Sequence, residues 1–290
     1  MEMKRIDYPT FGPGGNSDAF KDAGKKSTVE APEWIRSIGL DAYEFEAGRG
    51  VNAGEAVLRK IGEEAMRHGV LMSLHAPYFI SLSSVEEEKR TKSIDYISRS
   101  LAAARLINAD TIVIHTGSAA TISRDEAMRL AADTLERNLE VNGDTDIRMG
   151  LETMGKVNQL GTLKEVIELC RLFPKYHPIV DFGHLNARHL GGHFPDCDSY
   201  RRVFDAIGSA LGEEYAYNLH CHFSKIEYTA KGEKKHLTFS DTVYGPDFEP
   251  LAEAIIKEGV APRIICESDG TMSDDALAMK RMWLCAGGKA

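Results

Sequence analysis

The chain has 290 residues, 43% of them hydrophobic and 27% charged, with a formal net charge of −9 at pH 7. That length suits one α/β barrel, which typically needs about 250 residues, and no apolar run approaches the roughly 20 residues of a membrane span. The acidic balance argues against a broad nucleic-acid surface, because phosphate neutralisation needs Lys and Arg, although divalent cations held in a cleft would offset it locally.

Short apolar runs alternate with longer amphipathic stretches. The pattern predicts a first strand over 4–8, then the turn cluster Gly12-Pro13-Gly14-Gly15 and a helix over 30–37. Strand and helix follow in turn over 40–45 and 54–67, 70–75 and 85–107, 111–115 and 124–141, and 148–152 and 163–172. The last three pairs are 178–181 and 200–208, 216–222 and 250–258, and 263–267 and 274–283. In the helix over 124–141, Ala127, Leu130, Ala131, Leu135 and Leu139 recur at three- and four-residue steps, which marks one buried face. Ser123 and Thr162 precede helices as N-caps. Eight strand–helix units without a break in composition predict one domain over 1–290, an α/β (β/α)8 TIM barrel. No GxGxxG or GxxxxGK[ST] loop follows a strand, which demotes nucleotide cofactors and ATP chemistry. Cys170, Cys197, Cys221, Cys266 and Cys285 form no C-x-x-C pair, and the N-terminus lacks the apolar stretch of a signal peptide. A cytoplasmic protein without membrane attachment is expected, acting as a monomer.

The strand ends carry the chemistry. His75, His115, Glu152, Asp181, the pair His220 and His222, and Glu267 each close one of six successive strands. In a barrel these positions converge on one mouth, where the active sites of this fold sit. His184, Glu233 and His236 lie in the loops just beyond. One histidine after an apolar run is commonly a hydrogen-bonded core residue; joint occurrence on six strands is not. Imidazole and carboxylate without thiolate suit a catalytic zinc or manganese site. Glu152, central in strand order, is the expected bridge between two metals and the catalytic carboxylate. His68, His177, His189 and His193 are read as surface or packing residues.

These segments resemble the endonuclease IV family of abasic-site DNA endonucleases, within the xylose-isomerase-like barrels. The matching motifs are His75-Ala-Pro-Tyr78, Ile114-His115-Thr-Gly117, Leu151-Glu152-Thr, Asp181-Phe-Gly-His184, His220-Cys-His-Phe-Ser-Lys225, Gly232-Glu-Lys-Lys-His236 and Cys266-Glu267. The resemblance implies zinc, with manganese as the alternative, in two or three positions. His75, His115 and Glu152 would hold the first ion, Glu152, Asp181, His220 and Glu267 the second, and His184, an acidic residue and His236 the third. Lys225 anchors a match that favours His220, yet His222 points to the same side of the strand. The family's Asp-x-His at the third position is here Glu233-Lys-Lys-His236, longer by one residue. The implied partner is duplex DNA containing abasic sites, contacted by Tyr78, Arg49 and Lys225. The rival expectation is a sugar isomerase or epimerase of the same superfamily, which needs one divalent metal at Glu152, Asp181, one seventh-strand histidine and Glu267.

Overall fold

A computed structural model describes residues 7–289 of the chain. Its strands, in chain order, are β1 Thr10–Pro13, β2 Ala42–Glu46, β3 Leu71–His75, β4 Ala109–His115, β5 Arg148–Glu152, β6 Tyr176–Asp181, β7 His220–Phe223, β8 Lys225–Thr229, β9 Gly232–Leu237 and β10 Arg263–Cys266. Eight of them form one parallel sheet in the order β1-β10-β7-β6-β5-β4-β3-β2. The sheet curls until its edges meet. Asp41 N donates to Phe11 O (2.9 Å), Gly15 N donates to Glu44 O (2.9 Å), and Gly14 bridges Glu44, which nearly closes a barrel flanked by helices.

Strand parity divides the molecule into two interiors. Met72, Leu74, Ile112, Ile114, Met149, Leu151, Val180, Cys221, Phe223, Ile264 and Cys266 point outward and join the hydrophobic layer packed by the helices. Residues of the other parity line the lumen. Toward the C-terminal ends of the strands, that set becomes the polar residues of the mouth. The helices fall where apolar periodicity puts them: Arg124–Asn142 is capped by Ser123, and Leu163–Leu172 by a Thr162–Glu165 capping box.

Two expectations need correction. The predicted strand over 4–8 lies largely outside the described residues, and the first barrel strand is Thr10–Pro13, so Gly12 and Pro13 belong to a strand rather than a turn. A Cβ on Gly12 would overlap the Ala42 carbonyl, so the glycine serves the close approach of β1 to β2. The seventh strand begins at His220 rather than at 216, because Glu213–Tyr217 forms a short helix.

Outside the barrel, β8 and β9 pair as an antiparallel hairpin. It docks on the loop after β5: Glu233 N donates to Gly155 O (3.1 Å), and Val157 N to Lys231 O (3.0 Å). That loop is itself clamped by two guanidinium groups. Arg188 donates to the carbonyls of Met154, Lys156, Val157 and Gln159, and Arg124 to those of Val157 and Gln159. Among the described residues no helix is long and apolar enough to cross a membrane.

Candidate metal centre

Glu152 ends β5 at the middle of the mouth, fully buried. One carboxylate oxygen, Oε2, lies 3.1 Å from His115 Nε2 and 3.6 Å from His75 Nε2. The other, Oε1, lies 3.0 Å from His222 Nδ1 and 3.5 Å from His184 Nδ1. Glu152 therefore sits between two sets of imidazoles, as a bridging carboxylate must.

Three donor groups radiate from it. His75 and His115, with ring centroids 5.0 Å apart, flank Glu152 on the β3–β4 side. On the other side Glu152, Asp181, His222 and Glu267 have ligand atoms all within 4.8 Å of one another. Farthest out, His184, Glu233 and His236 form a third such group, with His184 Nε2 at 3.5 Å from Glu233 Oε2. Local structure explains the placement of each. Asp181 caps the helix Phe182–Arg188 by accepting from His184 N (2.7 Å), so the turn that follows β6 carries His184 back over the mouth. Glu233 and His236 are three apart, a spacing that in a regular strand would place them on opposite faces. A bulge in the hairpin, where Tyr228 faces Glu233 and Glu227 faces Lys235, absorbs the additional residue and turns both inward.

The seventh-strand ambiguity resolves by depth. His222 is level with Asp181 and Ile265, whereas His220 is level with Ile179 and Arg263, one inward position deeper. His222 is thus the histidine in the Glu152–Asp181–Glu267 group, and His220 instead lies 3.0 Å from Glu44. The residues proposed to contact a partner fare differently. Tyr78 is 57% exposed, with its ring 5.3 Å from the rings of both His75 and His115. Arg49 is exposed in the loop after β2. Lys225 is largely buried and staples the following loop, donating to Asp241 O (2.6 Å) and lying 3.3 Å from Asp247.

Sequence reasoning missed Glu44 and Glu46. Both point inward from β2, and with Glu267 they form another close carboxylate group. The signal was the same-parity pair Glu44-Phe45-Glu46 at a strand end.

The electrostatics follow from crowding. Burial opposes ionisation of Glu152, but the His115, His222 and His75 rings beside it hold its carboxyl well below the usual range. Glu267 is driven well above its usual range by burial, with Asp181 and Glu152 adding repulsion. Glu46 is exposed at the rim, yet desolvation of its carboxyl, with Glu44 and Glu152 adding repulsion, raises it to about 7. Burial works against charge on the imidazoles too, yet carboxylate neighbours raise His75 to about 10 and His184 to about 9. Burial holds His115 and His236 below the usual value and His220 down at about 4.

Glu152 Oε2 and Asp181 Oδ2 are buried without a well-aligned hydrogen bond. Buried anionic oxygens lacking donors are costly unless a cation faces them. The rings are also pre-set: His75 Nδ1 lies 2.9 Å from Ala76 O and His184 Nδ1 3.0 Å from Thr153 O, which leaves each Nε2 free to face the centre. The donor set and these orphaned oxygens fit divalent cations.

The sequence pattern of the xylose isomerase-like TIM barrel family matches residues 32–284. An uncharacterized protein of Methanocaldococcus jannaschii is 29% identical over 255 residues, covering 87% of this chain and 90% of its own length. A probable endonuclease 4 of Acholeplasma laidlawii is 27% identical over 165 residues, 56% of this chain and 55% of its own length. Among solved structures, endonuclease IV from Thermus thermophilus superposes with a TM-score of 0.69 at 17% identity, over 96% of this chain and 98% of that one. The 3-keto-D-glucoside 4-epimerase of E. coli matches about as well, with a TM-score of 0.68 at 16% identity over 96% and 98% of the two chains. At such identities the superpositions speak for the fold alone.

Proposed function

The chain belongs to the xylose isomerase-like TIM barrel family, and we propose that within it this protein is a metal-dependent phosphodiesterase cleaving duplex DNA 5′ to abasic sites. The observation that supports this reading is the third donor group, His184, Glu233 and His236, beside the two that share Glu152. An enzyme that needs one metal has no use for it. The probable endonuclease 4 relatives point the same way, although the Acholeplasma match spans only about half of that protein.

In this reading His75, His115 and Glu152 hold one zinc or manganese ion, Glu152, Asp181, His222 and Glu267 a second, and His184, Glu233 and His236 a third. Such ions, when bound, neutralise phosphate charge and make water acidic enough to supply a nucleophile near neutral pH. Glu152 would offer one carboxylate oxygen to the first group and the other to the second, and would orient the attacking water. Asp181 is fixed by the helix it caps, so the second and third groups hold a constant separation as charge moves to the leaving oxygen. In the same reading Tyr78, exposed beside the His75–His115 pair, wedges against an extruded sugar, and Arg49 meets the backbone. Lys225 acts indirectly, by fixing the loop beside the hairpin.

A second reading has its own observation. Glu46 stands with Glu44 and Glu267 in a close carboxylate group at the mouth, and a carboxylate beside the Glu152–Asp181–His222–Glu267 set suits proton transfer at a carbon next to a carbonyl, the chemistry of a sugar epimerase. One pair of measurements separates the two: metal content of the purified protein, and incision of a duplex carrying a single abasic analogue without added magnesium. Two or three ions per chain with incision, lost in Glu152→Gln, is the expected result. One ion, no incision and epimerisation of a ketose would overturn it.

A further inference from the structure

Four of the imidazoles at the mouth have one ring nitrogen against an oxygen outside the donor groups, and those oxygens differ in kind. His75 and His184 rest on backbone carbonyls, of Ala76 and Thr153, and His236 Nδ1 rests on Ser224 Oγ at 2.8 Å. All three of these hydrogen-bond partners are neutral, and of the three nitrogens His184 Nδ1 also has the Asp181 carboxylate at 3.3 Å. His222 is different. Its Nδ1 faces the centre, 3.0 Å from Glu152 Oε1 and 3.3 Å from Glu267 Oε1, while its Nε2 lies 2.9 Å from Glu44 Oε1. Glu44 is fully buried beneath the mouth. Its second oxygen accepts from Ser73 Oγ (2.7 Å) and lies 3.0 Å from His220 Nε2. Neither Glu44 Oε1 nor His222 Nε2 has an aligned hydrogen bond, and Glu44 Oε1 is the carboxylate oxygen that stands against that ring nitrogen.

We propose that Glu44 is a positioning residue that fixes the Nε2–H tautomer of His222 and thereby aims the Nδ1 lone pair into the Glu152–Asp181–Glu267 group. The inference rests on the metal-dependent reading above and extends it below the mouth. A carbonyl behind a ligating imidazole sets its orientation; a carboxylate also raises its basicity, so the ring becomes a stronger donor. Ser73 and His220 complete the device by gripping the other carboxylate oxygen. This explains why a histidine that misses all three mouth groups is nonetheless buried one inward position below His222. It also gives a reason to keep an anionic side chain in the lumen, where an unpartnered charge would be costly. Of the anchored rings, His222 brings its Nδ1 nearest the shared carboxylate, 3.0 Å from Glu152 Oε1, so a lone pair there would face the same cation as Glu152.

The test begins with the wild-type, zinc-loaded protein carrying 15N-labelled histidine. Long-range ring correlations should place the proton of His222 on Nε2. Competition with a chromophoric chelator should then show Glu44→Gln weakening one metal equivalent by roughly 10–100-fold, with the equivalent at His184, Glu233 and His236 unchanged. A His222 proton on Nδ1, or an Nε2 that itself binds zinc as an additional position against Glu44, overturns the proposal. So does a folded Glu44→Gln variant with wild-type affinity at every position. If that variant fails to fold, the wild-type tautomer decides alone. A wild-type chain that binds no divalent metal sinks the metal-dependent reading together with this one, whereas normal wild-type binding with an indifferent Glu44→Gln sinks this one only.

Discussion

At the floor of the barrel Arg263, the first residue of β10, reaches across the lumen to Asp110 near the start of β4. Its two terminal nitrogens grip both carboxylate oxygens at 2.8 and 2.7 Å, Thr111 Oγ1 adds a third bond at 2.8 Å, and the guanidinium also donates to Met72 O. At the mouth, by contrast, Glu152, Asp181, Glu267 and several imidazoles converge with buried oxygens left without aligned donors. Both ends bury charge. The floor pairs it in fork-on-fork geometry, while the mouth sets like charges side by side with imidazoles between them, an arrangement suited to a bound cation. The lesson is that satisfaction, not burial, separates a structural charge from a functional one.

That contrast can be broken from either end. Glu152→Gln should cut activity the most, by about 10³-fold, equivalent to several kcal/mol of lost transition-state stabilisation, with little change in the melting temperature of the metal-free protein. Single-turnover incision and calorimetry together check it. Asp110→Asn should do the reverse: it leaves Arg263 without its counter-charge and destabilises the fold by about 3 kcal/mol, as seen in denaturant melts, while metal content stays unchanged. Stripping the metals with a chelator should lower stability by about 2.7 kcal/mol for each site whose metal had been present at a hundred times its dissociation constant, and re-addition of zinc should restore it. His236→Ala should remove one metal equivalent and leave the others, because its group meets the rest only through Asp181, Glu152 and Glu267; elemental analysis reads this directly.

The smallest effect concerns acid. Burial opposes the Asp110 charge, but Arg263 overrides burial and holds the carboxyl well below its usual range. Its folded pKa is therefore lower than its unfolded value of about 3.9, so the stability it contributes is present above that value and lost as pH falls through the folded one. Wild-type stability should decline below about pH 4, and Asp110→Asn should flatten that part of the curve. An unchanged acid limb would show that the floor pair is not what titrates.

The barrel was legible in the sequence because its two periods are unmistakable. Helices such as Arg124–Asn142 and Leu163–Leu172 carry both an apolar face and a capping residue, and six successive strands end on a ligand type. What escaped did so for physical reasons. Gly12 and Pro13 look like a turn until the neighbouring strand is known to pass too close for a Cβ. Glu44 was hidden because a carboxylate inside an apolar strand announces nothing until the two histidines it serves are placed beside it. The choice between His220 and His222 could not be made from parity, which they share; it needed the register with Asp181. The helix Phe182–Arg188 was overlooked because nearly all its residues are buried, so it shows no polar face to set its period.

The bulge in the β8–β9 hairpin carries a wider consequence. Ordinarily one inserted residue turns every later side chain of a strand to the opposite face. Here the insertion is swallowed at Lys234, and the donors on either side of it still look the same way. A group of this kind is set by a direction in space and not by a spacing along the chain. Its backbone can take up one more residue without the donors coming apart. Deleting Lys234 would shorten the motif to the more familiar spacing, but only a simultaneous loss of the bulge would keep His236 turned toward His184.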